Sequence, residues 1–383
     1  MQGSIQGLVA GACDPRFERV RAAFTRNFAE RGEVGAAVAV YYRGEPVVDL
    51  WGGLRDAPRA LPWERDTMAC MMSVGKGICA TAVAMAKDRD LVDLDAPVAR
   101  YWPAFAQAGK ENVTVRTALS HLAGVPVTDG LSEGDIYDFG KMAAGIAAQA
   151  PLWPPGTTQF YHSATIGHIV SSILRGATGL SVAQFLRREI AEPLGADYFF
   201  ELTPDEEARC ATMIPSANNM VNASKREDPA SVAYRQWRTL PASEDFNSHA
   251  WRSAQIPAVN GHGTARGVAR IYGAVACGGR LDGVVLGRPE SFAALATEQP
   301  GGGVSTSGYP LRMGVGYMLN SPPHRPMGPN LATFGHSGAG GAQGFADPVA
   351  QVGYCYCCNR MHDGVDVGPR ALALIESTYE AIA

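Results

Sequence analysis

Apolar residues recur at helical spacing between Asp14 and Glu33, where Phe17, Val20, Ala23, Phe24 and Phe28 share one face and predict an amphipathic helix. The pattern then changes. Gly35 to Tyr42 is a short apolar run of strand character, Arg43-Gly44-Glu45 reads as a turn, and Pro46 to Trp51 pairs back as a hairpin. From Ser73 to about residue 195 helical spacing dominates, with helices predicted at about 114–122, 134–149, 163–178 and 181–192 and no convincing strand among them. Leu91 to Leu94 and Pro97 mark a loop. Residues 201–258 are polar and irregular, and a segment of that length predicts either a functional wall or lid or a surface loop. Helical spacing returns from Gly263 to Ala276. Strand-like pieces follow at Leu281–Leu286, Met313–Leu319, Thr333–His336 and Gln351–Cys358, and a closing helix runs from about Gly368 to Ala381. Strands near both ends with helices between them predict one sheet built from both termini and a helical lobe inserted into it. No repeat or low-complexity linker divides the chain, so one composite domain is expected.

Bulk properties narrow the function classes. A chain of 383 residues with 46% hydrophobic and 18% charged residues has ample material for a core. A net charge of −4 gives no basic footprint for nucleic acid, and no apolar run approaches the roughly 18 residues of a membrane span. Residues 1–7 lack the charged head and apolar stretch of an export signal, so a cytoplasmic location is expected. Eight cysteines then read as reduced thiols. Cys355-Tyr356-Cys357-Cys358 follows Val352-Gly353-Tyr354 and reads as a buried strand in which cysteine serves as a small apolar residue. No zinc-like spacing of Cys or His accompanies it.

Three stretches carry chemistry. Ser73-Val74-Gly75-Lys76 heads a predicted helix, and positions three apart lie about one turn from each other on one face. That spacing lets the Lys76 amine reach the Ser73 hydroxyl, and a lysine shielded from water can take the proton of a serine nucleophile. With 20 Ser and 5 Lys in the chain, accident alone is an even alternative for this motif. Tyr161, in the loop Pro155 to Ser163, is a core ring or, beside an activated serine, a proton relay whose phenol flanking ammonium groups would help to ionise. Phe334-Gly335-His336-Ser337-Gly338-Ala339-Gly340-Gly341 is a glycine-rich turn, or small residues that leave backbone N–H groups free to hold an oxyanion.

These segments, in this order, resemble the serine β-lactamase and penicillin-binding-protein superfamily, with a closer likeness to its esterase branch, the family VIII carboxylesterases. The likeness runs over roughly residues 15–375 and includes Asp93-Leu94-Asp95-Ala96-Pro97-Val98, Leu119-Ser120-His121-Leu122-Ala123-Gly124 and Asn260-Gly261-His262-Gly263-Thr264. The resemblance implies an α/β, β-lactamase-like fold: an antiparallel sheet from both termini with flanking helices, a sheet lobe of about 1–70 and 265–383, and a helical lobe of about 71–264. It implies Ser73 as nucleophile, Lys76 as base and Tyr161 as the tyrosine of the Tyr-x-Asn motif, with Ser163 where the asparagine would be. His336-Ser337-Gly338 stands in the place of Lys-Thr-Gly, and the N–H groups of Ser73 and Ala339 take the oxyanion. Replacing the lysine by His336 weakens the anchor for a β-lactam carboxylate, and replacing the asparagine by Ser163 removes an amide. Both departures favour uncharged esters over β-lactams, on which weak or no activity is expected; short-chain esters hydrolysed through an acyl-enzyme are the expected substrates, with acyl transfer or amide hydrolysis as alternatives. A binding protein that has lost catalysis is the third reading. No cofactor or metal is implied, nor a nucleic-acid or membrane partner; homo-oligomer formation stays open. Trp153, Trp237 and Trp251 are candidate pocket walls, and His121, His162, Asn260 and His262 are read first as backbone braces.

Overall fold

The computed structural model describes residues 9–218, 220–241, 246–301, 310–364 and 367–383, so the segment read for an export signal lies outside the described residues. The main sheet is antiparallel and runs, from edge to edge, Val9–Cys13, Glu45–Asp56, Gly35–Tyr42, Val352–Cys358, Gln343–Asp347, Phe334–Ser337 and Met318–Leu319, with Leu61–Pro62 added to Glu45–Asp56. At its centre the first predicted strand pairs with the last, Val352 opposite Tyr42 through Cys358 opposite Ala36.

The alternation of side chains sorts the two faces by size. Val38, Val40, Tyr354 and Tyr356 point to one side, where helices Glu18–Glu30 and Gly368–Ile382 cover them. Ala37, Ala39, Cys355 and Cys357 point to the other, against helix Ala265–Ala276. Small residues allow that helix to come very close: a Cβ on Gly353 would stand 2.1 Å from Gly273 N. The cysteine run is therefore packing, as its apolar setting suggested, and all eight cysteines are free thiols.

Element boundaries differ from expectation in informative ways. The first helix starts at Glu18, because Asp14 accepts from Arg16 N–H and caps a separate turn, Pro15–Phe17. The predicted helix at 181–192 breaks into Val182–Leu186, a π-helical turn Arg187–Ala191 and Glu192–Leu194. The strands Val9–Cys13 and Gln343–Asp347 were not expected, nor was a small sheet of Ala69–Cys70, His262–Gly263 and Tyr198–Phe199. Segment 201–258 holds short helices, Pro204–Ala208, Met220–Ser224, Val232–Trp237 and His249–Ser253, and buries Trp237, Leu240, Phe246 and Trp251. It is a packed wall, which removes the surface-loop alternative.

Among the described residues, one ion pair is buried on both sides. Glu33 accepts from Arg370 Nη1 at 2.6 Å and from the Tyr356 hydroxyl, tying the entry of the central strand to the closing helix. No single helix among the described residues is long and apolar enough to cross a membrane; the bent pair Thr165–Thr178 and Val182–Leu194 reaches that length, and both helices bury much of their surface in the core.

Candidate active site

The chain reaches Ser73 through a sharp bend, since Met72, buried, adopts a left-handed φ of 47°. Ser73 is the N-cap of helix Val74–Asp88. Two glycines set how deeply that helix sits. A Cβ at Gly75 would lie 2.6 Å from the Pro257 carbonyl oxygen, and one at Gly77 would lie 2.2 Å from Tyr272 Oη. Glycine weakens a helix interior, so its presence at both positions reflects close approach rather than helix preference.

One turn on, Lys76 is 3% exposed, and its Nζ stands 2.9 Å from Ser73 Oγ and 2.8 Å from the Ala258 carbonyl oxygen. Burial strips water from the ammonium and pushes its pKa down to about 7. A fraction of the lysine is therefore a free amine at neutral pH, within reach of the Ser73 proton.

Tyr161 comes to the same point from the loop before helix Thr165–Thr178. Its Oη lies 3.3 Å from His336 Nε2, its ring centroid is 4.9 Å from that of His121, and Lys76 Nζ stands 5.0 Å from the ring centroid. The phenol does not ionise easily, contrary to expectation. Burial raises its pKa, outweighing the opposing pull of the Ser73 hydroxyl and the Arg325 charge.

His336 is buried on strand Phe334–Ser337. Burial first, then the charge of Lys76, lowers its pKa well below the ordinary value, so the ring is neutral. Ser337 turns to the opposite face and its hydroxyl meets Met318 Sδ at 3.7 Å. Gly338 lies so close to the bend before Ser73 that a Cβ would stand 2.2 Å from the Met71 carbonyl oxygen. Ala339 follows and borders the same pocket as Ser73. Among the described residues nothing accepts a hydrogen bond from the N–H groups of Ser73 or Ala339, and two such donors can stabilise a negative oxygen. Ser163 is fully buried; its N–H donates to Gln236 Oε1 at 3.3 Å, and its hydroxyl has no partner among the described residues.

The remaining candidates separate cleanly. His121 Nδ1 accepts from His162 N–H, and His162 Nε2 accepts from Val125 N–H, so both brace the backbone. The Asn260 side-chain amide donates to the carbonyls of Trp251 and Ala254, and the Asn260 main-chain carbonyl accepts from His262 Nδ1. Trp237 and Trp251 line an apolar pocket at Ser73 together with Val221, Leu240, Phe246 and Met361, whereas Trp153 packs on Phe160 outside it. Sequence reasoning missed the Ala258 carbonyl and Arg325. Neither has a motif: one is a backbone group, and the other gains its place from a loop between strands.

The family model described as Beta-lactamase matches residues 20–377. The esterase/beta-lactamase LipL of Mycobacterium tuberculosis is 35% identical over 366 residues, covering 92% of this chain and 83% of LipL. Among solved structures, a family VIII carboxylesterase superposes with a TM-score of 0.88 at 39% identity, covering 97% of this chain and 99% of its own. A penicillin-binding protein homolog from Caulobacter crescentus superposes with a TM-score of 0.89 at 36% identity, over 97% and 99% of the two chains.

Proposed function

The chain belongs to the beta-lactamase family, and on that footing we propose that it is a serine carboxylesterase that cleaves short-chain carboxylic esters through an acyl-enzyme. The observation that carries this reading is the 2.9 Å contact between Lys76 Nζ and Ser73 Oγ in a site where burial has brought the amine's pKa to about 7.

Lys76 takes the Ser73 proton as Oγ attacks the ester carbonyl, and the oxyanion that forms faces the N–H groups of Ser73 and Ala339. The departing alcohol takes the proton from Lys76. Water then attacks the acyl-enzyme, yielding its proton to the amine; as the bond from the acyl carbon to Ser73 Oγ breaks, Oγ takes that proton back from Lys76 and the carboxylic acid leaves.

The substrate class follows from the pocket. Bulky side chains, Trp237, Leu240, Phe246 and Trp251, close around Ser73, which favours a short, uncharged acyl group. β-Lactams are disfavoured because neutral His336 stands where a lysine would supply a fixed charge. A cytoplasmic location fits eight unpaired thiols.

The reading is tested by turnover of 4-nitrophenyl butyrate against nitrocefin, with fluorophosphonate labelling of wild type and Ser73→Ala. Ester turnover and labelling, both lost in the variant, are expected. Comparable efficiency on nitrocefin would overturn the preference for esters, and labelling that survives in Ser73→Ala would remove the assigned nucleophile. Adding an alcohol acceptor and measuring transesterified product separates hydrolysis from acyl transfer.

A further inference from the structure

Backbone contacts fix which nitrogen carries the proton in the two imidazoles beside Tyr161. His336 Nδ1 lies 2.7 Å from the Ser337 carbonyl oxygen, which can only accept, so Nδ1 holds the ring proton. The charged and titratable groups around this ring are Lys76, Arg325, His121 and Tyr161. The two cations oppose a further positive charge on it, and burial does so more strongly. A neutral ring protonated at Nδ1 offers a bare lone pair at Nε2, and the atom 3.3 Å from that lone pair is Tyr161 Oη. The phenol is the donor in this contact. On its other side, His121 Nδ1 accepts from His162 N–H at 3.0 Å, so its proton sits on Nε2 and it offers the phenol no competing lone pair there.

We propose that His336 is a positioning residue that accepts the Tyr161 hydrogen bond, turns the phenol lone pairs toward Ser73, and leaves Lys76 as the sole base for the Ser73 proton. A lysine at this place would donate to the phenol oxygen, so the exchange of lysine for histidine inverts the polarity of the contact. In acylation the Ser73 O–H bond breaks, its proton moves to the Lys76 lone pair, and the Oγ–carbon bond forms as an electron pair settles on the carbonyl oxygen. The ester C–O bond then breaks, and the alkoxide takes the proton from Lys76. The Tyr161 O–H bond stays intact throughout. This inference rests on the esterase reading above.

Nitrogen-15 spectra of the full chain labelled at histidine test it without turnover. The His336 signal is assigned by its absence from His336→Gln or His336→Leu, whichever folds. At pH 7 the expected state is a ring protonated at Nδ1 and bare at Nε2; a ring protonated at Nε2, or an imidazolium, overturns the proposal. Because no reaction is involved, this result stands apart from the esterase reading, which fails if wild type does not turn over 4-nitrophenyl butyrate. The two variants give a kinetic test. Glutamine restores an acceptor and leucine does not, so kcat in His336→Leu should fall about tenfold below that of His336→Gln, with KM within about twofold. The acid limb of kcat/KM should keep its wild-type midpoint in both. Equal kcat values, or a displaced midpoint, would overturn the assignment.

Discussion

Lys76 and Ser73 meet across 2.9 Å in a site nearly closed to solvent, and the closure that joins them also withdraws the hydration on which the lysine charge depends. The ordinary lysine is almost wholly charged at neutral pH; this one is poised between its two forms.

That poise sets the pH profile. With Lys76 as the proposed base, only its free amine can act, so kcat/KM for 4-nitrophenyl butyrate should rise with pH through about 7 and level off above it. Below that midpoint the rate should drop about tenfold per pH unit. Lys76→Ala should lower kcat by about 10²- to 10⁴-fold and remove this limb. A wild-type profile that is flat from pH 5 to 9 would contradict the assignment of Lys76 as base.

The same lysine should cost the fold stability. Its folded pKa lies below the unfolded value of 10.5, so between about 7 and 10.5 the unfolded chain binds more protons and stability rises with pH. Lys76→Met should therefore raise the free energy of unfolding at pH 7 by an amount on the order of a few kcal/mol, and the gain should fade as pH approaches 10.5. Urea unfolding at pH 7 and pH 10 checks both halves; a variant less stable than wild type at pH 7 counts against the argument.

The pocket wall should govern acyl length. Trp237 is 2% exposed and lines the same pocket as Ser73, so Trp237→Ala opens space for a longer chain. Across 4-nitrophenyl esters from C2 to C12, the optimum should move from short chains toward C6–C8, with about a tenfold change in the C8 to C4 ratio of kcat/KM. An unchanged ratio would place the acyl group elsewhere. Some stability is lost as well, about 3–5 kcal/mol for a fully buried aromatic ring.

The buried pair of Glu33 and Arg370 invites a third kind of variant. Arg370→Met leaves Glu33 without its cation, and breaking such a pair by removing one partner destabilises by about 3–5 kcal/mol. Replacing both, Glu33→Leu with Arg370→Met, should recover most of that loss, since the groups that then lose a partner, among them the Tyr356 hydroxyl and the Arg360 carbonyl, are neutral. Thermal unfolding of Arg370→Met, Glu33→Leu and the double variant measures the coupling, and a double variant no better than Arg370→Met would refute it.

Much of this architecture could be read from periodicity. Gly35 to Tyr42 and Gln351 to Cys358 gave clear apolar runs because they lie at the centre of the sheet and are buried on both faces. Gln343–Asp347 escaped notice since Gly344 and Ala346 dilute its apolar character; small residues are there to admit Val74, Tyr272 and Val268. The five- and six-residue helices of 201–258 are too short for a period to show, although Thr203, Ser231 and Ser248 do cap three of them and mark their starts. At the site, the spacing of Ser73 and Lys76 was legible as geometry. The tautomer of His336 was not, because a neighbouring carbonyl sets it, and a carbonyl has no letter in the sequence.

The antiparallel pairing of residues 36–42 with residues 352–358 has a consequence for biosynthesis. While the ribosome is still translating, the amino-terminal hairpin has no neighbour on that side until more than three hundred further residues have emerged. An unfilled strand edge of alanine and valine is then available to other nascent chains, and premature termination anywhere before residue 352 would remove the strand at the middle of the sheet.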